Sequence, residues 1–376
     1  MSWIDVTYRI RAARDQLQGI AQALALEQSV EVAAEVVTDA FVAEQIMGRV
    51  VAVHPGDDGP HEIVIRLAAA TTGGDVAQTI NMLFGNSSLH AHVELVDVDF
   101  PPEFLARFRG PRHGIDGIRG QLQSGRRPLT CAALKPQGLS IEALASLAYT
   151  LAVNGVDIVK DDHGLADQPY SPFAKRVAAC QRAVARAARE TGRACVYAPS
   201  LVGSPRALVA QAQVAHAEGV GAVLLAPALI GMPVFHELVT THVDVPVIAH
   251  PAYAGAARVA PPLLLGKLFR WLGADAVIFP NFGGRFAYSR EECAGIANNG
   301  RRDWAGYAPT LPVPAGGLTM DRVPELVAFY GPDVMLLIGG ALLAPADRLA
   351  ARTRSFVSAT KTGYAEYVVP SQAAPG

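Results

Sequence analysis

Apolar runs recur between residues 125 and 350, and an Ala/Leu-rich segment with helical spacing of its apolar positions follows most of them. The runs are almost continuous rather than alternating, which is typical of parallel strands buried on both faces. They predict strands at 130–134, 156–160, 194–198, 221–225, 245–249, 276–280, 310–313 and 333–338. Alternating strands and helices favour a closed (β/α)8 TIM barrel over an open sheet, and we place it at 125–358.

The first hundred residues carry a different pattern. It predicts strands at 5–11, 50–54, 62–68 and 91–98, and helices at 13–26 and 71–83. This order indicates an α+β ferredoxin-like N-terminal domain of the split βαβ kind, over residues 1–124, preceding the α/β barrel. The chain beyond 358 has no periodic core pattern, so we expect 359–376 to be a loosely ordered tail.

Composition excludes several classes of function. Charged residues are only 18% of the chain and the net charge is -2, so no basic surface is expected to bind nucleic acid or an anionic membrane. The four cysteines have no CxxC spacing, which argues against a zinc site or a disulfide framework. The chain starts with no signal-peptide pattern, and its longest apolar run, 220–232, is too short to span a membrane. We therefore expect a cytoplasmic protein.

Ionisable residues follow several predicted strands at the end where barrels place their active sites. Lys160, Asp161, Asp162 and His163 end the second run, and Lys135 ends the first. A lysine beside carboxylates can carry a carbamate, and carbamate and carboxylate oxygens suit a hard cation such as Mg2+. One lysine at a strand end is usually only solvated, but two of them near acids form an ionisable cluster that indicates function.

Two further strand ends bear on substrate binding. His250 follows the fifth run, where a histidine is either a satisfied core residue or a substrate contact and proton carrier. Glycine pairs follow the last two runs, and Arg285 follows the sixth. Backbone N–H groups at such glycines often bind phosphate in barrels, although glycines also simply punctuate turns. The residues predicted to bind substrate phosphate are Arg285, Gly316, Gly317, Gly339 and Gly340.

The order of these motifs resembles the large subunit of ribulose bisphosphate carboxylase (RuBisCO), and more closely the RuBisCO-like proteins (form IV), which lack carboxylase activity. The resemblance extends from Glu27 to about Arg352. The motifs that carry it are Phe84-Gly85, residues 110–115, Leu134-Lys135-Pro136, residues 157–162, Gly316-Gly317 and Gly339-Gly340. Together they are specific, whereas each motif alone would be weak evidence.

The resemblance implies a role for each matching residue. Lys160 would be carbamylated and bind Mg2+ together with Asp162, while the side chain of Asp161 points elsewhere. Lys135 would transfer the proton during enolisation, and His250 would contact the substrate. The family also implies a homodimer, in which Glu27 and the less well aligned Asn81 complete the partner's site.

Departures from the family pattern exclude CO2 fixation. The loop after the sixth strand, 281–285, lacks the lysine that stabilises the CO2 adduct. Pro251 stands in place of a phosphate-binding arginine, and Ala315 in place of a serine. His163 replaces a ligand glutamate, and imidazole is a poorer ligand for Mg2+ than carboxylate. We expect His163 either to leave its position to water or to shift the site towards ions such as Mn2+.

The remaining residues suffice to enolise a phosphorylated, sugar-like carbonyl compound with the help of a metal ion. Two form IV reactions fit: decarboxylation of a 3-oxo sugar-acid phosphate of the 3-oxo-isoapionate 4-phosphate type, ranked first, and isomerisation of 5-methylthioribulose 1-phosphate. The enolase of methionine salvage fits less well, because its members usually retain the lysine after the sixth strand. A non-catalytic binding or regulatory barrel is the alternative of another class.

Overall fold

The computed structural model describes residues 2–57, 59–343 and 346–372. The chain divides into two compact units: the first comprises residues 1–109 and 254–264, and the second comprises residues 110–253 and 265–376. No helix within the described part of the chain is both long enough and apolar enough to cross a membrane.

The first unit contains one four-stranded antiparallel sheet. Its elements are β1 (Trp3–Ile10), α1 (Leu17–Glu27), β2 (Arg49–His54), β3 (His61–Ala68), α2 (Val76–Phe84), β4 (Val93–Asp99) and α3 (Pro102–Leu105). The strand order β2-β3-β1-β4 is that of a ferredoxin-like sheet, as predicted. Alternate residues of β1 are buried, among them Val6 and Tyr8, because one face of the sheet packs on the core of the unit.

The second unit contains the predicted barrel. Its strands are β5 (Leu129–Leu134), β6 (Ile158–Asp161), β7 (Val196–Ala198), β8 (Val223–Leu225), β9 (Val247–Ala249), β10 (Ala276–Pro280), β11 (Leu311–Ala315) and β12 (Met335–Ile338). Its helices are α4 (Gly114–Leu122), α5 (Ile141–Val153), α6 (Phe173–Thr191), α7 (Pro205–Ala217), α8 (Pro227–Ile230), α9 (Met232–Thr241), α10 (Phe269–Trp271), α11 (Arg290–Arg301), α12 (Val323–Tyr330), α13 (Gly340–Leu343) and α14 (Leu349–Gln372).

Parallel pairing joins β12-β5-β6-β7 and β8-β9-β10-β11. A bridge from Ser200 to Leu224 links β7 to β8, and β11 contacts β12, which completes the ring. Every strand contributes to one central cluster of buried side chains: Cys131, Ile158, Ala198, Leu224, Ile248, Ile278, Val313 and Leu337. All eight predicted strands are therefore confirmed, because strands buried on both faces are apolar throughout.

The division between the units lies at residues 109 and 110, before the expected domain boundary at 124. Helix α4 lies between the two positions, and its residues Ile115, Ile118 and Leu122 belong to the central cluster of the barrel. The glycine- and arginine-rich composition of this stretch suggests a linker, but three apolar residues on one helical face are enough to make it part of the barrel core.

Residues 359–372 are helical, contrary to the prediction of a loosely ordered tail. Helix α14 continues to Gln372 and packs against α12. Thr360 is buried, and Gly363 lies close to Val327 of α12. Small and polar residues occupy this contact face, so the hydrophobic pattern gives no sign of it. Residues 373–376 of the predicted tail lie outside the described residues.

Candidate active site

Lys160 is the penultimate residue of β6 and is almost completely buried, with 3% of its surface exposed. Its Nζ donates a hydrogen bond to the main-chain oxygen of Asp161 at 2.9 Å. Burial lowers the pKa of Lys160, because the low dielectric of the interior disfavours the charged amine. The amine is therefore uncharged at a lower pH than an exposed lysine, and an uncharged amine is the form that reacts with CO2.

Asp162 follows β6 and is buried. Its Oδ1 lies 2.6 Å from Nζ of Lys135 and 3.3 Å from Nδ1 of His163. Burial by itself raises the pKa of this carboxyl, but hydrogen bonds from His163 and Lys135 and the charges of the two lysines outweigh burial and hold the pKa well below its usual range. The carboxylate is therefore ionised at neutral pH, as binding a cation requires.

Asp161 has a different environment from Asp162, as expected from the alternation of side chains along a strand. Its carboxylate is fully buried and pairs with Arg176, with Nε 3.1 Å from Oδ2. The hydroxyl of Tyr197 donates to Oδ1 at 2.8 Å and the backbone N–H of Ser200 donates to Oδ2 at 3.2 Å. These contacts use the side chain of Asp161 to join β6 to its neighbours, so it is not a member of the candidate active site.

Lys135 follows β5, and its side chain is 36% exposed. Its Cε lies 3.7 Å from the position that a Cβ on Gly339 would occupy. The side chain thus extends along Gly339 and reaches Asp162, so the ends of β5, β6 and β12 meet at one point. The structure therefore brings together the two predicted lysines, the predicted ligand carboxylate and one of the predicted phosphate-binding glycines.

His250 joins this group through a ring contact. Its imidazole stacks on that of His163, with ring centroids 4.3 Å apart and an angle of 15° between the planes. The backbone N–H of Ala252 donates to its Nδ1 at 3.1 Å, so Nδ1 is unprotonated and the proton lies on Nε2. Burial, followed by the charges of Lys160 and His163, lowers the pKa of His250 to about 2. The ring is therefore neutral, and Nε2–H can donate to a substrate oxygen.

The predicted phosphate-binding residues follow β10, β11 and β12. Gly316 and Gly317 follow β11 with φ values of 87° and 99°, which favour glycine. The backbone N–H of Arg285, in the loop after β10, donates to the carbonyl of Gly316 at 2.8 Å. Gly340 begins α13 after β12. Arg285 and the two glycine pairs therefore lie in the three loops that follow consecutive strands of the barrel.

Replacing Gly317 by alanine is expected to raise KM for a phosphorylated substrate about tenfold, since backbone strain of this kind costs roughly 1–3 kcal/mol. The alanine would have to keep a φ of 99°, which is disfavoured for any residue with a Cβ. Its Cβ would also lie 3.0 Å from Cγ of Arg285. Steady-state kinetics would measure the change. Gly306→Ala is a matched control, because Gly306 has a φ of 76° and no neighbour within 4 Å, and it precedes β11 at the opposite end of the barrel. An equal rise in KM for both variants would contradict the prediction.

Glu27 and Asn81 lie in the first unit, whereas the other predicted site residues lie in the second. Oε1 of Glu27 accepts a hydrogen bond from Nδ2 of Asn86 at 2.9 Å. Asn81 is exposed, and its Nδ2 lies 3.4 Å from Oε1 of Gln78. Asn86 is thus the partner of Glu27 that sequence reasoning missed. Its only signal was its position directly after Phe84-Gly85.

The donors present fit a divalent cation only if Lys160 is carbamylated. No group of three His, Cys, Asp or Glu side chains that could hold a metal ion occurs among the described residues. Asp162 supplies an ionised carboxylate, and Lys160 supplies an amine that burial keeps uncharged more readily. A carbamate on Lys160 would add the further oxygen ligands that Mg2+ prefers.

Comparisons with known proteins identify the family of the chain. The family model of the ribulose bisphosphate carboxylase large chain, catalytic domain, matches residues 114–366. The chain is 49% identical to ribulose bisphosphate carboxylase-like protein 1 of Rhodopseudomonas palustris, over 94% of this chain and 96% of that protein. It is 46% identical to the 5-methylthioribulose-1-phosphate isomerase of Rhodospirillum rubrum, over 94% of each.

A solved structure gives the same result. The crystal structure of a RuBisCO-like protein from Rhodopseudomonas palustris matches with a TM-score of 0.90 and 45% identity, over 96% of this chain and 98% of that one. Sequence and fold therefore agree over nearly the full length, and the chain belongs to the RuBisCO large-chain family, among its RuBisCO-like proteins.

Proposed function

We propose that this protein moves a proton next to the carbonyl group of a sugar monophosphate without fixing CO2, and that its reaction is the isomerisation of 5-methylthioribulose 1-phosphate. The observation that carries the proposal is the contact of Lys135 with Asp162, with Nζ 2.6 Å from Oδ1, beside the buried Lys160. A potential base, an ionised carboxylate and a lysine suited to carbamylation thus lie together at the mouth of the barrel.

Each residue has a defined part in such a reaction. Lys135 removes a proton from the carbon beside the carbonyl group and returns it to the neighbouring carbon. His250 donates a hydrogen bond from Nε2 to a substrate oxygen. Arg285 and the backbone N–H groups at the two glycine pairs hold the phosphate. A cation bound by Asp162 and carbamylated Lys160, Mg2+ by preference or Mn2+, would polarise the carbonyl group.

The comparisons favour the isomerase over the decarboxylase that the sequence ranked first. A relative that is 46% identical over nearly the whole chain carries the name of the isomerase, and none of the relatives named above carries the name of a decarboxylase. The decarboxylation of a 3-oxo sugar-acid phosphate stays a prediction. A carboxylase is not proposed, because residues 281–289 after β10 contain no lysine.

Assembly and location also remain proposals. We infer a homodimer in which Glu27 and Asn81 complete the partner's site, as the family resemblance implies; Asn86 would hold the Glu27 side chain through its hydrogen bond. The phosphorylated small molecule is the only ligand proposed besides the cation, and no nucleic acid or membrane partner is proposed. A cytoplasmic location is consistent with the metabolic reaction proposed here.

Deuterium exchange provides the test. The protein would be incubated with 5-methylthioribulose 1-phosphate, Mg2+ and bicarbonate in D2O, and substrate and product would be followed by proton NMR. We expect exchange and isomerisation, and a fall of at least about 10²-fold in Lys135→Ala, because a positioned acid–base group contributes this much. Lys175→Ala, which changes an exposed lysine of α6, is the control and should leave the rate unchanged.

The alternatives give different results in the same experiment. Release of CO2 from a 3-oxo sugar-acid phosphate, without isomerisation, would replace the isomerase by the decarboxylase. Absence of exchange with every sugar phosphate tested would favour the non-catalytic binding barrel. An undiminished rate in Lys135→Ala would remove Lys135 as the base.

A further inference from the structure

His163 and His250 connect two strands that are not neighbours. His163 follows β6 and His250 follows β9, and β7 and β8 lie between these strands in the barrel order. Their rings nevertheless stack at 4.3 Å and 15°. The contact therefore reaches across the carboxyl-terminal mouth of the barrel, although the side chain of His163 is 48% exposed. Nearly parallel aromatic rings at this distance attract each other and exclude water from between them.

The second contact of His163 is with the predicted metal ligand. Its Nδ1 lies 3.3 Å from Oδ1 of Asp162, and Nζ of Lys135 lies 2.6 Å from the same oxygen. A hydrogen bond to this carboxylate requires the proton of His163 on Nδ1. The distance shows that Nδ1 is the ring nitrogen facing this carboxylate, and the closest contacts of both neighbours are to Oδ1. Because both neighbours contact Oδ1, Oδ2 is the oxygen of Asp162 that could bind a cation.

We propose that His163 is a positioning residue and not a metal ligand. It orients the carboxylate of Asp162 through Nδ1–H and holds the ring of His250 by stacking, so that the residues after β6 and β9 keep a fixed separation. Carboxylate ligands of metals are generally oriented by such hydrogen bonds, and loss of the partner typically weakens metal binding or activity about 10- to 100-fold. The catalytic part of this inference rests on the function proposed above.

His250 depends on the stack for its orientation. The hydrogen bond that the N–H of Ala252 donates to Nδ1 fixes one nitrogen but leaves the ring free to tilt about that bond. The flat face of His163 removes this freedom. Without it, Nε2–H would no longer point consistently at the substrate oxygen, and a misplacement of about 1 Å can cost up to 10²-fold in rate. The effect should fall on kcat more than on KM.

Two substitutions separate a ligand from a positioning residue. His163→Phe keeps an aromatic face but has no nitrogen, whereas His163→Ala has neither. Binding of Mn2+ in the presence of bicarbonate would be measured by electron paramagnetic resonance, with Asp162→Ala as the variant that loses a ligand. We expect His163→Phe, which lacks the orienting Nδ1–H, to lose about tenfold in affinity for Mn2+, and Asp162→Ala to lose more than about 100-fold. Equal losses in the two variants would overturn the proposal.

A double-mutant cycle tests the link to His250. His163→Ala should lower kcat about tenfold, and His163→Phe should recover most of that loss. Measured at saturating Mn2+, so that a weakened contact with Asp162 does not limit the rate, the change His163→Ala should have little further effect on kcat in His250→Ala, because the ring that it holds by stacking is absent. Additive losses in the double variant, or failure of His163→Phe to recover activity, would show that His163 does not act through His250.

Nitrogen NMR of histidine-labelled protein needs neither substrate nor metal. The chain has ten histidines, and the ring signal of His250, assigned by its loss in His250→Ala, should report a neutral ring with the proton on Nε2. The signal should be kept in His163→Phe and be shifted or broadened in His163→Ala. If the protein turned over no sugar phosphate but the NMR and Mn2+ results were as expected, the proposed function would fail and the role of His163 would stand. An unchanged His250 signal in His163→Ala would refute the stacking role.

Discussion

Replacing Lys160 by methionine is expected to abolish deuterium exchange, a loss of more than about 10³-fold, because it removes the proposed carbamate and, with it, a ligand of the proposed cation. Methionine has nearly the same length and no charge. Binding of Mn2+ in bicarbonate should fall in parallel, and the carbamate signal should disappear when 13C-labelled bicarbonate is followed by NMR. A parallel loss in all three measurements would indicate that the variant has lost the metal-binding site, whereas loss of exchange alone would indicate loss of a catalytic base.

The stability of Lys160→Met should not fall with its activity, and in buffer free of bicarbonate it should be equal or higher. Burial lowers the pKa of Lys160, so the unfolded chain binds a proton that the folded chain binds less well. The weaker proton binding of the folded state lowers the free energy of unfolding at every pH below the ordinary pKa of lysine. The loss fades only as the pH rises towards that pKa. In buffer free of bicarbonate, Lys160→Met should therefore have a Tm at least as high as that of the unchanged protein. A much lower Tm would mean that the lost activity reflects misfolding.

Replacing Asp161 by alanine is expected to give the largest loss of stability, about 3–5 kcal/mol, because it leaves a buried guanidinium without its charge partner. Arg176 and Asp161 are both fully buried, with Nε 3.1 Å from Oδ2. The variant would also remove the acceptor for the hydroxyl of Tyr197. Unfolding by urea, followed by circular dichroism, would measure the loss as a fall in the midpoint.

The adjacent carboxylate provides the comparison. Asp162→Ala removes the group that contacts Lys135, which is partly exposed, so water can solvate the lysine that remains. We expect a smaller fall in the urea midpoint than for Asp161→Ala, together with a large loss of Mn2+ binding. If Asp162→Ala destabilised the protein as much as Asp161→Ala, the assignment of one aspartate to the fold and the other to the site would be wrong.

This contrast shows how far a sequence motif can be interpreted. Lys160 and Asp162 were predicted site residues because they follow a buried strand of a barrel, and the structure places them beside Lys135. Asp161 stands between them in the same motif, yet its partners are Arg176 on α6 and Tyr197 on β7. The alternation of a strand indicates that neighbouring side chains face opposite ways. Which of the two faces meets the buried guanidinium of Arg176 is decided only by the packing of α6 on the barrel.

The hydrophobic pattern by itself determined the two folds, the order of their strands and the strand ends at which the chemistry lies, because continuous apolar runs and their polar ends are local properties of a chain. Tertiary structure alone decided that His163 meets His250, that Asn86 pairs with Glu27, and that α14 extends to Gln372 on a face of small and polar residues. Those contacts join residues far apart in the chain or bury side chains that carry no apolar signal. Their existence depends on the distances that the closed barrel and its packed helices impose.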